Sequence, residues 1–296
     1  MARVLHCGRF ELRLDHPLIM GVLNLTPDSF SDGGRWLAVD QALKHAQQLI
    51  QDGADLLDIG AESTRPGAQD VDVETEFNRL APVIEALQGE NIPLSIDTCK
   101  PQVMRRVLDL GVDMINDVAG FRDPASIAAV AQTAPGKPAA PALCIMHMQG
   151  QPRTMQQAPH YENVVVEVRD FLRDRAQALQ RAGINANRLV LDPGFGFGKT
   201  VAHNYTLLAR LSELFFDDTP WLVGLSRKSM IGHITGRAPQ ARLAGSLAAA
   251  LAGVMNGAAI VRVHDVAETR DALAVWQAVE QAKSPTRQTA PQELTA

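Results

Sequence analysis

The sequence predicts an α/β protein of the (β/α)8 TIM barrel class with an N-terminal β-hairpin closing the base. Short apolar runs with strand character alternate with longer segments of helical periodicity, which marks successive βα units and a parallel sheet. Eight runs of each kind can be counted along the 296 residues, a length that suits one barrel. Alternation alone would serve an open doubly wound sheet equally well, and the count of eight decides for the barrel.

The strands are read as 18–23, 56–59, 94–96, 114–115, 143–146, 189–191, 221–225 and 260–263. Most are apolar throughout, as strands covered on both faces should be. Between them the helices space their apolar residues by turns: Leu43, Ala46, Leu49 and Ile50 in the first, Val164, Val168, Phe171 and Leu172 in the fifth, Leu243, Leu247, Leu251 and Val254 in the seventh. Residues 1–16 alternate around Gly8, with Phe10, Leu12 and Leu14 on one face, so they form a hairpin placed to plug the barrel. No linker divides the chain: the stretch 134–141 is one loop, 1–283 is a single domain, and the polar tail 284–296 is expected to be disordered. The Ala-rich stretch 244–252 reads as close helix packing.

A net charge of −5 with both signs interspersed offers no basic stripe for a phosphate backbone, so nucleic acid is not an expected partner. Cys7, Cys99 and Cys144 are far apart and odd in number, as reduced thiols of a cytoplasmic protein would be. No run approaches the roughly 18 apolar residues that span a bilayer, and no basic segment followed by an apolar one opens the chain, so neither export nor membrane insertion is expected. The seventh and eighth helices are apolar enough to suggest the face of a homodimer.

Polar residues follow every strand: Asn24, Glu62 to Arg65, Asp97, Asn116, His147, Asp192, Ser226 to Lys228, and Arg262 with His264. One such residue would pass for a strand terminator or a helix cap. All eight converging on the C-terminal rim, where barrels hold their active sites, would not. Arg65, Lys228, Arg262 and His264 suit an anion with several oxygens, whereas Asp97 and Asp192 accept from N–H groups and fit an amidine-like edge. The rim therefore calls for a nitrogen heterocycle carrying a phosphate.

The stretches that hold these residues resemble one family, the dihydropteroate synthases, which are the sulfonamide targets of folate synthesis. They are 20–34 (MGVLNLTPDSFSDGG), 58–60 (DIG), 62–67 (ESTRPG), 95–98 (SIDT), 115–118 (INDV), 146–148 (MHM), 191–199 (LDPGFGFGK), 224–229 (GLSRKS) and 262–264 (RVH), in order at every strand end. The resemblance implies a transferase that condenses 6-hydroxymethyl-7,8-dihydropterin pyrophosphate with p-aminobenzoate, giving 7,8-dihydropteroate and pyrophosphate, with Mg²⁺ on the leaving group.

It further implies that Asp97, Asn116, Met146, Asp192 and Lys228 bind the pterin, Asp97 and Lys228 being the catalytic pair. Asn24, Thr64, Arg262 and His264 would hold the pyrophosphate, with Asn24 the single protein ligand of Mg²⁺. Thr64, Arg65, Pro66, Phe197 and Ser226 would form the p-aminobenzoate pocket, and Phe197 would also wall the pterin.

Rival functions are weaker. Residues 192–200 nearly spell a P-loop, but Pro193 stands where the first glycine is required, which removes the nucleotide hydrolases. A folate-dependent corrinoid methyltransferase would share the pterin-side residues, yet would have no use for Thr64 to Pro66, Ser226 with Lys228, or Arg262 with His264. A barrel that only binds would release no pyrophosphate. His147, with no second ligand at metal spacing, reads as a hydrogen-bonded rim residue, and Asp58 and Glu62 as braces of neighbouring loops.

Overall fold

The computed structural model describes residues 3–25, 35–63, 70–131, 140–151 and 154–283. The chain opens with β1 (Val4–Cys7) and β2 (Phe10–Arg13), an antiparallel hairpin in which Val4 faces Arg13 and Cys7 faces Phe10. Eight parallel strands follow: β3 (Leu18–Asn24), β4 (Leu56–Gly60), β5 (Leu94–Asp97), β6 (Met114–Asp117), β7 (Ala142–Met146), β8 (Leu189–Asp192), β9 (Leu222–Val223) and β10 (Ile260–Val263). Their order is β8-β7-β6-β5-β4-β3-β10-β9, and a parallel bridge from Leu191 to Trp221 brings the two ends together. The barrel and its base hairpin are thus as the sequence predicts.

Side chains of a strand alternate between faces, and in this sheet both faces are dry. One parity (Ile19, Leu57, Ile96, Ile115, Leu143, Val261) packs outward against the helices. The other parity (Leu18, Met20, Leu56, Met114, Cys144, Val190, Leu222, Ile260) fills the barrel interior. Leu5 and Cys7 of β1, both fully buried, close that inner cluster from below, while Leu12 and Leu14 pack against it only partly buried. The plug is therefore β1 rather than the Phe10, Leu12 and Leu14 face. Phe10 instead lies under the Arg9 guanidinium, 5.2 Å from the ring centre.

Arg9 fixes the hairpin to the barrel through Nε and Nη2, each 3.0 Å from the buried carboxylate of Asp113. Gly8, at φ 57°, lies so close to that residue that a Cβ would fall 2.4 Å from Asp113 Oδ1.

Nine α-helices lie among the described residues: α1 (Arg35–Gln51), α2 (Val73–Leu87), α3 (Pro101–Asp109), α4 (Pro124–Ala131), α5 (Val164–Arg181), α6 (Val201–Ala209), α7 (Ser229–Thr235), α8 (Leu243–Met255) and α9 (Val266–Lys283). Eight serve the βα alternation, and α7 is an additional seven-residue helix between β9 and α8. The expected strand 221–225 contracts to Leu222–Val223, preceded by the single bridge of Trp221 to Leu191 and followed by a turn that includes Arg227 at φ 58°. Close packing of α8 holds: a Cβ on Gly253 would come within 2.9 Å of Val223 Cγ2. No described helix is long and apolar enough to cross a membrane.

Candidate active site

The inward parity, followed up each strand, changes from apolar to polar at the C-terminal end. Above Leu56 comes Asp58, above Met114 comes Asn116, above Val190 comes Asp192, and above Ile260 come Arg262 and His264. Alternation alone thus gathers these side chains over the sealed interior.

Arg262 is the centre of the cluster. Its Nε donates to Asp58 Oδ2 at 2.6 Å and its Nη2 to Asp97 Oδ2 at 3.2 Å. Asp58, fully buried, also accepts from Ser95 Oγ at 2.6 Å and from Asn116 Nδ2 at 3.0 Å. The Asn116 amide is thereby oriented, and its Oδ1 is a buried acceptor without a donor. Burial and the neighbouring Asp58 charge push Asp97 up to about 7, although Arg262 opposes them. Burial works against the Arg262 cation, but Asp58 and Asp97 outweigh it and raise its pKa above the ordinary value.

Asp192 stands across the barrel. Its Oδ1 accepts the Gly194 N–H at 2.7 Å, and burial raises its pKa against that bond and the charge of Lys228. Gly194 takes φ 68°, and a Cβ there would lie 1.8 Å from the His147 carbonyl oxygen, so only glycine fits. The loop that follows is pinned by Lys199, whose buried Nζ reaches His147 Nδ1 at 2.8 Å and the carbonyls of Gly194 and Phe197 at 2.9 and 3.0 Å. Burial lowers Lys199 to about 7 and holds His147 well below its ordinary value, with the Lys199 charge adding to the latter effect. Phe197 emerges with its ring 4.3 Å from Lys228 Nζ. It packs with Met146, Val118, Met148, Met155 and Cys99 as an apolar wall beside the carboxylates.

Just past β10, His264 pairs its Nδ1 with Ser226 Oγ at 3.0 Å, and burial with nearby Arg262 lowers it to about 4, leaving a neutral imidazole at pH 7. Next to them Arg227 turns away to Asp265, 3.1 Å from its Nε. Asn24 ends β3. A Cβ on Gly60 would sit 3.9 Å from Asn24 Oδ1 and 3.8 Å from Asp97 Oδ2, so this glycine lies between the two side chains.

Asn24, Asp97, Asn116, Met146, Asp192, Phe197, Ser226, Lys228, Arg262 and His264 thus meet at one mouth. Thr64, Arg65 and Pro66 lie outside the described residues, as do residues 26–34 and 284–296. Glu62 is tied to Val71 N at 3.0 Å and to Lys100 Nζ at 2.5 Å, which makes it a loop brace. His147 is hydrogen-bonded at the rim, and among the described residues no group of three or more His, Cys, Asp or Glu could hold a metal. Asp58 braces no loop; its partners are three inward side chains, Ser95 on the adjacent β5 and Asn116 and Arg262 each two strands away. Lys199 carries no sequence signal beyond its place at the end of the glycine-rich stretch, because two of its acceptors are backbone carbonyls.

Residues 20–264 match the family of pterin binding enzymes. The dihydropteroate synthase of Escherichia coli (strain K12) is 48% identical over 278 residues, covering 94% of this chain and 96% of that protein. Among solved structures, the Burkholderia cenocepacia dihydropteroate synthase complexed with 7,8-dihydropteroate superposes with a TM-score of 0.85 at 52% identity, over 95% of this chain and 98% of that one. The Xanthomonas albilineans dihydropteroate synthase with 4-aminobenzoic acid gives 0.87 at 50% identity, over 95% and 99%. With such likeness along nearly the whole chain, and with the polar mouth assembled from the matched segment, this chain belongs to the dihydropteroate synthase family of pterin-binding transferases.

Proposed function

We propose that this mouth binds a 6-hydroxymethyl-7,8-dihydropterin pyrophosphate and p-aminobenzoate and joins them into 7,8-dihydropteroate. The observation that carries the assignment is the pair formed by Asp192 and Asn116. Asn116 Oδ1 is a buried acceptor with no donor, and Asp192 gives only Oδ1 to Gly194 among the described residues. A ligand edge with adjacent N–H donors satisfies both, and Lys228 supplies a donor for a ring carbonyl or nitrogen beside them. The wall of Met146 and Phe197 suits the flat face of the ring. The relatives that hold dihydropteroate and 4-aminobenzoic acid support the same substrates here.

At the other end, Arg262, His264 and Asn24, with Thr64, are assigned to the pyrophosphate. Ser226, Phe197, Thr64, Arg65 and Pro66 are assigned to p-aminobenzoate. The amine nitrogen attacks the pterin methylene carbon, the carbon–oxygen bond breaks, and pyrophosphate leaves with the electron pair while the amine loses a proton. Asp97, when ionised, favours the positive charge that develops on the pterin side as the anion departs.

The charge balance favours a divalent cation. Arg262 is paired with both Asp58 and Asp97, so little of its positive charge is left for a polyanion. Mg²⁺ accepts a single protein oxygen when phosphate and water complete its shell, and Asn24 Oδ1, a neutral amide oxygen at the end of β3, fits that part. Bound there, it would supply charge neutralisation of the leaving group.

A homodimer through the last helices is the assembly we favour. Met255 of α8 is 67% exposed, Val275 and Val279 of α9 are 67% and 50% exposed, and Ile234 of α7 is 64% exposed. Of these four, Ile234 lines an apolar groove of about 380 Å³ between α6, α7 and α8. Two fully buried and one half-buried free thiol suit a reducing cytoplasm.

The test is to supply both substrates with Mg²⁺ and follow dihydropteroate by mass and pyrophosphate by release. Product without added Mg²⁺, after chelation, would remove the metal from the scheme, and no product at all would remove the assignment of the substrates.

A further inference from the structure

We propose that Asp58, which touches neither substrate, is the positioning residue that sets the hydrogen-bonding sense of the ring site and the pose of the anion site together. The inference rests on the assignment of Asn116 to the pterin and of Arg262 to the pyrophosphate.

One oxygen does both tasks. Asp58 Oδ2 accepts Asn116 Nδ2 at 3.0 Å and Arg262 Nε at 2.6 Å, while Oδ1 is occupied by Ser95 Oγ at 2.6 Å. A primary amide has two orientations of nearly equal shape, one offering its oxygen to the ligand and the other its NH₂. The carboxylate of Asp58 accepts and never donates, so it admits only the orientation that turns Asn116 Oδ1 towards the ligand. That is why the Oδ1 is left without a donor inside the protein.

The same logic applies to Arg262. Its Nε is directed by Asp58, leaving Nη2 for Asp97 at 3.2 Å, so the plane of the guanidinium is fixed by two carboxylates on different strands. Asp58 is fully buried at the centre of this arrangement, and its position on β4 follows the inward parity above Leu56. Nothing else among the described residues binds both Asn116 and Arg262.

Two probes separate the arms: the unphosphorylated pterin alcohol for the ring site and inorganic pyrophosphate with Mg²⁺ for the anion site, each titrated calorimetrically. Asp58→Ala is expected to weaken the pterin alcohol by about tenfold or more, the worth of a charge-assisted hydrogen bond, and to shift the affinity for pyrophosphate, because Arg262 loses its anchor and regains charge; an unchanged pyrophosphate affinity overturns the anion arm. Asn116→Ala should weaken the pterin alcohol alone to a similar degree. The decisive measurement is the double variant Asp58→Ala with Asn116→Ala. If Asp58 acts on the ring through Asn116, the double variant binds the pterin alcohol no more weakly than the worse single one.

Losses that multiply would overturn the proposal, and so would wild-type ring affinity in Asp58→Ala. Asp58→Asn should recover most of the ring affinity, because its oxygen can take the place of Oδ2 with its NH₂ turned to Ser95 Oγ; a loss equal to that of alanine contradicts the orienting role. Asp58→Ser, too short to reach Asn116, replaces the alanine variant in the cycle if that one does not fold. Wild-type ring affinity in Asn116→Ala would instead refute the assignment of Asn116, a result distinct from failure of the coupling.

Discussion

Replacing Asp192 by asparagine changes one oxygen into an NH₂, and the fold dictates which way the new amide faces. The Gly194 N–H, 2.7 Å from Oδ1, needs an acceptor, and among the described residues that side chain supplies it. The amide oxygen of the substituted side chain must therefore turn to Gly194, and its NH₂ must face the pterin, where the ligand also presents N–H groups. A charge-assisted hydrogen bond contributes about 1.5–3 kcal/mol, so its replacement by opposed donors weakens binding by about tenfold to a hundredfold. The fold itself should not suffer. Burial raises the Asp192 pKa, so its ionisation disfavours the folded state above the unfolded value, and a neutral amide relieves that cost. Calorimetry with the pterin alcohol and a thermal melt together make the test. Equal affinity in wild type and variant, with an unchanged melt, would refute the reasoning that Asp192 reads the ring edge.

Three further outcomes are expected. Asp97 is raised from 3.8 to about 7, so its charge is present above about pH 7 and lost below it; the acid limb of kcat/KM should fall near that pH and vanish in Asp97→Asn, and an unaltered limb would assign it to another group. The same shift means that ionising Asp97 costs stability increasingly as pH rises from 3.8 towards 7. Lys199 is lowered from 10.5 to about 7, so the unfolded chain holds more protons between those values and stability should rise with pH across them. In urea titrations Lys199→Met should lack that rise and lose at least about 1 kcal/mol at pH 9 through its orphaned carbonyls, and a parallel pH dependence in both proteins would contradict it. Finally, Ile234→Asp with Met255→Asp should bring the sedimenting mass to one chain, while an unchanged mass would place any dimer contact elsewhere.

Most of the architecture is legible because buried strands and amphipathic helices write different periods into a sequence. The exceptions have local causes. The helix Ser229–Thr235 is too short, and too interrupted by Gly232, to declare a period. Pattern alone cannot rank Leu5 and Cys7 above Phe10, Leu12 and Leu14, since both strands of the hairpin alternate and only the barrel decides which one is covered. In the site, residues that end strands announce themselves, whereas Asp58, one turn of the pleat deeper, reads as a brace. Its parity with Leu56 is visible, but its contact with Arg262, 204 residues away, depends on barrel closure. Lys199 is illegible for a different reason: backbone carbonyls leave no trace in residue types.

The plugged base has a consequence for traffic. With Met20, Leu56, Met114 and Val190 filling the interior, Leu5 and Cys7 covering it from below, and Arg9 clasping Asp113 beneath, the barrel is a cup and not a tube. Two reactants and two products must use one opening. The ligand nearest the floor is then expected to enter first and leave last, since an arriving molecule has no far side through which to push a departing one. A vessel of this shape makes turnover a matter of queueing at its rim.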